Sequence, residues 1–130
     1  MIINAYKDGD IVTYYPEYAG NRELDDADKI EVDLCPITQK LKAKFNSMLR
    51  LSADKKNKGE FKTNAAEVTR ATLIHCVHAI RNLQGRMKDG SIKDIKNGAD
   101  LHDLGDPDLV EEILNAIQDR SILNEGLKKV

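Results

Sequence analysis

Residues Lys29-Ile30-Glu31-Val32-Asp33-Leu34 alternate polar and apolar side chains without a break, and no other feature constrains the chain as strongly. A period of two places Ile30, Val32 and Leu34 on one face of a strand. One strand can neither bury that face nor pair its backbone alone, so a sheet must form around it. The β-branched and aromatic run Ile11-Val12-Thr13-Tyr14-Tyr15 supplies a second strand. Asp8-Gly9 is a turn signal, and with the apolar run Met1 to Tyr6 it predicts a hairpin of residues 1–7 with 10–15. Pro16 ends that strand or confines it to an edge.

Beyond Leu34 the period changes. Pro36 suits the first turn of a helix, and Ile37, Leu41, Phe45 and Met48 recur as one apolar stripe, with Lys40, Lys42, Lys44 and Arg50 on the other faces. Residues 54–62 have no periodicity and read as an exposed loop. Asn64 caps a helix over 65–84, with Glu67 near-completing a capping box and Leu73, Cys76, Val77, Ile80 and Leu83 as its buried stripe. Free of Gly and Pro and closed by Gly85, this helix is expected to be the longest and the most buried. Asp89-Gly90 marks a turn flanked by Ile92 and Ile95. Asn97 caps a short helix carrying Leu101 and Leu104, closed by Gly105. Asp106-Pro107 then starts a helix with the stripe Val110, Ile113, Leu114 and Ile117. Ser121 to Val130 adds a turn around Ile122 and Leu123 and then frays. The expected fold is α+β and mainly helical: a short N-terminal β-hairpin or sheet, three main helices and one short one. Residues 1–130 form a single domain, with a β element over 1–34, a helical part over 35–123 and a tail over 124–130.

The 130 residues allow one domain with a core of its own. Apolar residues are 41% and charged residues 32%, too apolar for disorder and too charged for a membrane protein. No apolar run approaches the ~20 residues of a spanning helix. The opening MIINAYKDGD lacks a basic stretch followed by an apolar one, so no secretory signal is expected and the chain reads as intracellular. Cys35 and Cys76 are then expected as small buried apolar residues rather than a disulfide. The net charge of −2 argues against a bulk nucleic-acid binder. Its distribution is uneven. Residues 8–34 carry nine acids against two bases, residues 35–62 eight bases against two acids, and residues 89–119 nine acids against two bases. Blocks of −7, +6 and −7 suit segments, or subunits, that attract one another.

Catalytic and metal patterns are sparse. His75 and His78 are spaced i, i+3 on the expected helix, but no third ligand accompanies them and Cys76 points elsewhere. No phosphate cradle, dinucleotide fingerprint or nucleophile elbow occurs. Asp100, Asp103, Asp106 and Asp108 lack the spacing and central glycine of a calcium loop, and helix capping accounts for them. No catalytic residue, metal or cofactor is therefore expected. The Lys-rich segment 40–62 could meet phosphates, which makes a small nucleic-acid-binding regulator an alternative. Only Phe45 and Phe61 are interleaved there to stack on bases.

Two stretches together resemble a known family. Tyr14-Tyr15-Pro16-Glu17-Tyr18-Ala19-Gly20-Asn21-Arg22-Glu23 is similar to the "Y-x-P-x-Y/F-G-G-N-R-E" opening of small proteins from phage and prophage tail gene clusters, with Ala19 where that pattern has Gly. Further on come Ile80-Arg81-Asn82-Leu83, Asp89-Gly90-Ser91-Ile92, Gly98 to Leu101, Leu109 to Ile113, and Ser121-Ile122-Leu123, in the order of the phage tail assembly chaperones. The resemblance covers most of the chain, and none of its matched residues is catalytic. It implies a non-enzymatic role in virion morphogenesis in the cytoplasm of a bacterial host. The implied partner is the long helical tape-measure protein or another tail protein, with self-association and no membrane. A structural tail-completion or connector protein of the particle is the alternative from the same gene clusters.

A docking surface needs apolar side chains beyond those the core consumes. Tyr14, Tyr15 and Tyr18 combine aromatic bodies with polar tips, which suits an interface. Ile117, Ile122 and Leu123 come late, where little chain remains to cover them. These six are the expected partner-binding residues.

Overall fold

In the computed structural model, which describes residues 1–3, 5–7, 9–44, 47 and 61–127, the alternating segment is the central strand of a sheet. Strand β2 (Glu31–Leu34) pairs antiparallel with β1 (Val12–Tyr14) through Val12↔Leu34, Thr13↔Asp33 and Tyr14↔Val32. On its other side it pairs antiparallel with β3 (Val77–Arg81), from Glu31↔Arg81 to Leu34↔Val77, with a register shift between Asp33 and Leu34. Val32 and Leu34 are fully buried, as the period of two requires, while Glu31 and Asp33 face outward.

The outer face is tied by charge. Arg81 donates to both oxygens of Asp33 at 2.8 and 2.9 Å and to Glu31 at 3.1 and 3.3 Å, and Thr13 Oγ1 donates to Asp33 at 2.9 Å. The Arg81 bonds hold the Asp33 carboxyl below its ordinary 3.8, with the Thr13 bond adding to them. A carboxylate depressed in the folded state contributes stability above its ordinary pKa and loses it as pH falls through the folded value. Replacing Arg81 with Met should therefore lower the urea midpoint at neutral pH and flatten its fall as the pH drops below the ordinary carboxylate range. Parallel midpoint curves for the two proteins would disprove this role for the pair.

The hairpin of residues 1–7 with 10–15 does not form. A turn does sit there, with Asp10 N–H donating to the Lys7 carbonyl at 3.1 Å and Gly9 at φ +89°, yet the described residues before Val12 form no strand. The outer edge of β1 is used otherwise, since Tyr15 N–H donates to the Gly126 carbonyl at 3.0 Å.

The helix expected over 65–84 is two elements. Helix α2 spans Phe61–Cys76 and the chain continues directly into β3. Val32 and Leu34 are buried, and leaving the second edge of a buried strand without hydrogen bonds costs far more than ending a helix early. Cys35 N–H donates to the Cys76 carbonyl at 2.7 Å at that junction. Asn82, at φ +63°, turns the chain and bonds the Lys29 carbonyl through its side chain at 2.8 Å. Gly85 then lies in β4 (Gln84–Arg86), not at a helix end, and β4 pairs with β5 (Ile92–Asp94) as a two-stranded ribbon around the Asp89-Gly90 turn. The part expected to be helical, 35–123, thus contains three of the five strands found among the described residues.

Helix α1 begins at 39, three residues later than expected from Pro36, and residues 39–44 are helical. Thr38 serves as its cap, its Oγ1 accepting from Leu41 N–H at 3.2 Å. Phe45 and Met48 of the expected stripe lie outside the described residues, as do 54–60 of the expected loop, while 61–62 already belong to α2. Helix α3 (Gly98–Leu104) is capped by Asn97, which accepts from Asp100 N–H at 2.9 Å. Helix α4 (Pro107–Gln118) is capped by Asp106, accepting from Asp108 N–H at 2.9 Å. The tail does not fray at 121–127: α5 (Arg120–Leu127) is a helix whose Leu123 is fully buried.

Sheet and helices share one core, built from Tyr14, Val32 and Leu34 on the strands, Leu73 on α2, Leu101 on α3, Ile113 and Ile117 on α4 and Leu123 on α5. The fold is α+β and mainly helical, as expected, although its sheet draws its third strand from the middle of the chain. Among the described residues no helix is long and apolar enough to cross a membrane.

Candidate functional site

The stretch Tyr14 to Arg22 forms a strap between the sheet and α4. Tyr14 is 1% exposed, and its hydroxyl donates to Glu112 Oε2 at 2.8 Å. Burial, and then that bond, push the phenol well above its ordinary pKa, so it stays protonated. The Arg22 guanidinium lies 5.8 Å from the centre of the same ring, and its Nε donates to the Tyr15 carbonyl at 2.9 Å. Glu112 also accepts from the backbone N–H of Glu17 at 2.7 Å and of Tyr18 at 2.9 Å, so a carboxylate on α4 caps the 3₁₀ turn Tyr18–Glu23 from across the fold. Asn21, 1% exposed, donates to the carbonyls of Pro16 and Ile30 and accepts from Ile30 N–H at 2.6 Å. Tyr14, Glu17, Tyr18, Asn21 and Arg22 thus all have structural employment here.

Ala19 in this strap has φ +53° and ψ +31°, followed by Gly20 at φ +74°. The left-handed region costs a residue with a Cβ about 1–2 kcal/mol, against about 0.5–1 kcal/mol of extra unfolded-state entropy for glycine. Ala19→Gly should therefore stabilise the fold by up to about 1 kcal/mol, read as a rise in the denaturant midpoint without a change in slope. A lower midpoint would mean that the strap is not held this way.

Of the six residues expected to bind a partner, Tyr14, Ile117 and Leu123 lie inside the core, at most 2% exposed, and offer no surface in this conformation. Each is buried because the chain brings β1, α4 and α5 together, which periodicity along the sequence does not reveal. Tyr15 and Ile122 are partly buried on separate parts of the strap and α5, with the Lys29 ammonium 5.9 Å from the Tyr15 ring. Tyr18 borders a cavity. Its hydroxyl donates to Asp106 Oδ2 at 2.7 Å, which fixes the ring against the start of α4, raises the phenol's pKa and holds the carboxyl of Asp106 below its ordinary value.

That cavity is one side of a trough at the root of the β4–β5 ribbon. Leu83, Gln84 and Ile95 form a shared wall. On one side a groove of about 290 Å³ runs along Tyr18, Leu104, Asp106 and Leu109, and on the other one of about 460 Å³ runs along Asp28, Asn82, Asp94 and Lys96. Backbone bonds set the wall: Ile95 N–H donates to the Leu83 carbonyl at 3.0 Å and Ile80 N–H to the Lys96 carbonyl at 2.8 Å. The apolar lining on the Tyr18 side is half-buried Leu83 and Leu104, with Ile95 and Leu109 buried behind them, and the rim carries Asp28, Asp94 and Asp106 against Lys96. The sequence points to Tyr18 but not to the rest of this lining, because Leu83 fits a helix stripe and Gly85 its cap.

The remaining candidates give no reaction centre. His75 lies in the last turn of α2 and His78 in β3, so the two do not share a helical face. Cys35 and Cys76 are both buried and not bridged, and burial pushes the Cys76 thiol up to about 12, leaving it protonated and unreactive. Among the described residues no three His, Cys, Asp or Glu side chains are grouped to hold a metal ion. No known family, curated protein or solved structure matches this chain.

Proposed function

We propose that this chain is a non-enzymatic morphogenesis factor of phage tail assembly, a chaperone that binds the helical tape-measure protein in the cytoplasm of the bacterial host. The observation that carries the reading is the trough: half-buried Leu83 and Leu104 line it beside the aromatic body of Tyr18, with Ile95 and Leu109 buried behind them. A helix that has not yet found its final packing exposes apolar side chains at i, i+3 and i+4, and a groove of this size takes one or two of them. The order of motifs along the chain, similar to that of tail assembly chaperones, supports the same reading. The polar rim suits contacts that must be released, because rim charges add little net affinity while keeping the complex soluble.

The test is capture of the tape-measure protein encoded in the same gene cluster, co-expressed with the tagged chain. Tyr18→Ser should leave the circular dichroism spectrum intact and weaken capture by about fivefold, the ~1 kcal/mol of one interface aromatic. Mass spectrometry of purified particles should find the chain absent. Stoichiometric presence in mature particles would overturn the chaperone reading in favour of a structural tail-completion or connector protein.

A further inference from the structure

We propose that Cys35 and Cys76 form a redox latch: a small oxidised disulfide closes them into a cystine that fixes β3 against β2, and reduction releases it. The two residues lie opposite one another. Leu34 pairs with Val77 in the β2–β3 ladder, so Cys35 and Cys76 continue that register, and Cys35 N–H donates to the Cys76 carbonyl at 2.7 Å. Side chains directly opposite in an antiparallel pair share a face, with Cβ atoms about 4.5–5.5 Å apart, close to the spacing a disulfide needs. Both thiols lie in the same core cluster, at most 1% exposed, and they are not bridged. The nearness of Cys35 adds to the burial that raises the Cys76 thiol.

The pair sits where the chain changes from helix to strand. Helix α2 ends at Cys76 and β3 begins at Val77, yet Leu73, Cys76, Val77, Ile80 and Leu83 also fit one helical stripe. Local preference leaves this junction undecided, and contacts with β2 hold the strand form. A covalent bond from the end of β2 to the end of α2 fixes that choice until it is reduced. It also closes the loop 35–76, which restricts the unfolded chain. The chemistry is thiol–disulfide exchange. The Cys35 thiolate attacks one sulfur of the small disulfide, expelling a thiolate and leaving a mixed disulfide. The Cys76 thiolate then attacks the Cys35 sulfur and expels the second thiolate. Two protein thiols are oxidised, the small disulfide is reduced to two thiols, and the two protein protons pass to the two leaving thiolates. In the closed fold burial keeps both sulfurs from the reagent, so exchange requires the junction to open. The latch does not depend on what the trough binds.

Refolding the full-length chain from urea in mixtures of oxidised and reduced glutathione brings the pair to equilibrium whatever its burial, and so tests the latch. In the oxidising mixture the intact mass should fall by two hydrogen atoms, with Cys35 and Cys76 joined in the peptide map and the circular dichroism spectrum unchanged. The oxidised chain should unfold at a urea midpoint higher by about 1 M or more, and dithiothreitol should return it to that of the reduced chain. In Cys35→Ala the midpoint should not respond to the oxidant. Free thiols or glutathione adducts at equilibrium, a changed spectrum, or a midpoint no higher after oxidation would each overturn the inference. So would an oxidant response that survives in Cys35→Ala.

Discussion

Gly98→Ala should destabilise the protein by about 3 kcal/mol or more, among the largest effects any single methyl can have in this fold. Gly98 is the first residue of α3 and is buried against the end of α2. A Cβ there would fall on the carbonyl oxygen of Leu73 and within 3.0 Å of the Ile74 nitrogen. Both atoms are helix backbone, so relief requires moving α3 away from α2 rather than rotating a side chain. Leu73 and Leu101, both 0% exposed, pack at that interface and would lose contact together. Urea denaturation followed by circular dichroism measures the loss. A cost below about 1 kcal/mol would show that the two helices do not approach this closely.

A second large effect is expected at Gly126 on α5. A Cβ at this position would enter the ring of Tyr14, meeting Cε1 and Cδ1 and lying 2.9 Å from Cζ. The ring cannot swing aside freely, because its hydroxyl bonds Glu112 and the next residue's N–H bonds the Gly126 carbonyl at 3.0 Å. Gly126→Ala should therefore cost about 3 kcal/mol through displacement of α5 from β1. Tyr14→Leu removes the conflict along with the hydroxyl anchor. The double variant should then be markedly more stable than the sum of the two single losses allows, by about 1 kcal/mol or more of coupling. Strict additivity would sink the argument that these two residues are in contact.

The places where sequence reading succeeded share a property: the controlling interaction is local. The period of two in β2 follows from alternation of side chains along six residues. The caps at Asn97 and Asp106 are made by each residue's own side chain to backbone two or three positions on. The stripe on α4 needs only 3.6-residue periodicity, and Ile113 and Ile117 are buried as it requires. The Asp89-Gly90 turn also forms, with Asp89 accepting from Ser91 N–H at 2.9 Å and Gly90 at φ +88°.

The misreadings share the opposite property. Val77-His78-Ala79-Ile80 fits a helix stripe as well as a strand, and what decides between them is β2, more than forty residues earlier, with an open second edge. The partner of β1 is likewise β2, and its outer edge belongs to α5, so a turn at Gly9 was not enough to make a hairpin. The candidate site was legible only at Tyr18. The trough exists because a strand replaced half of a helix, which freed Leu83 and placed Ile95 beside it. Tyr14 shows the same limit in reverse: its chemistry suits an interface, but Glu112, ninety-eight residues away in sequence, takes its hydroxyl into the core.

By itself, then, the amino-acid sequence determined the class of the fold, the central strand, the two capped C-terminal helices and the alternation of charge along the chain. Those are set by side chains acting on their own backbone or on neighbours within a turn, where conformational choices are few. Only the tertiary structure decided where α2 stops, which strands flank β2, whether the tail is a helix, and which apolar residues are left for a trough. Those choices turn on hydrogen bonds and apolar contacts between segments far apart in the chain, each worth about 1 kcal/mol or more and together larger than the local preferences they override.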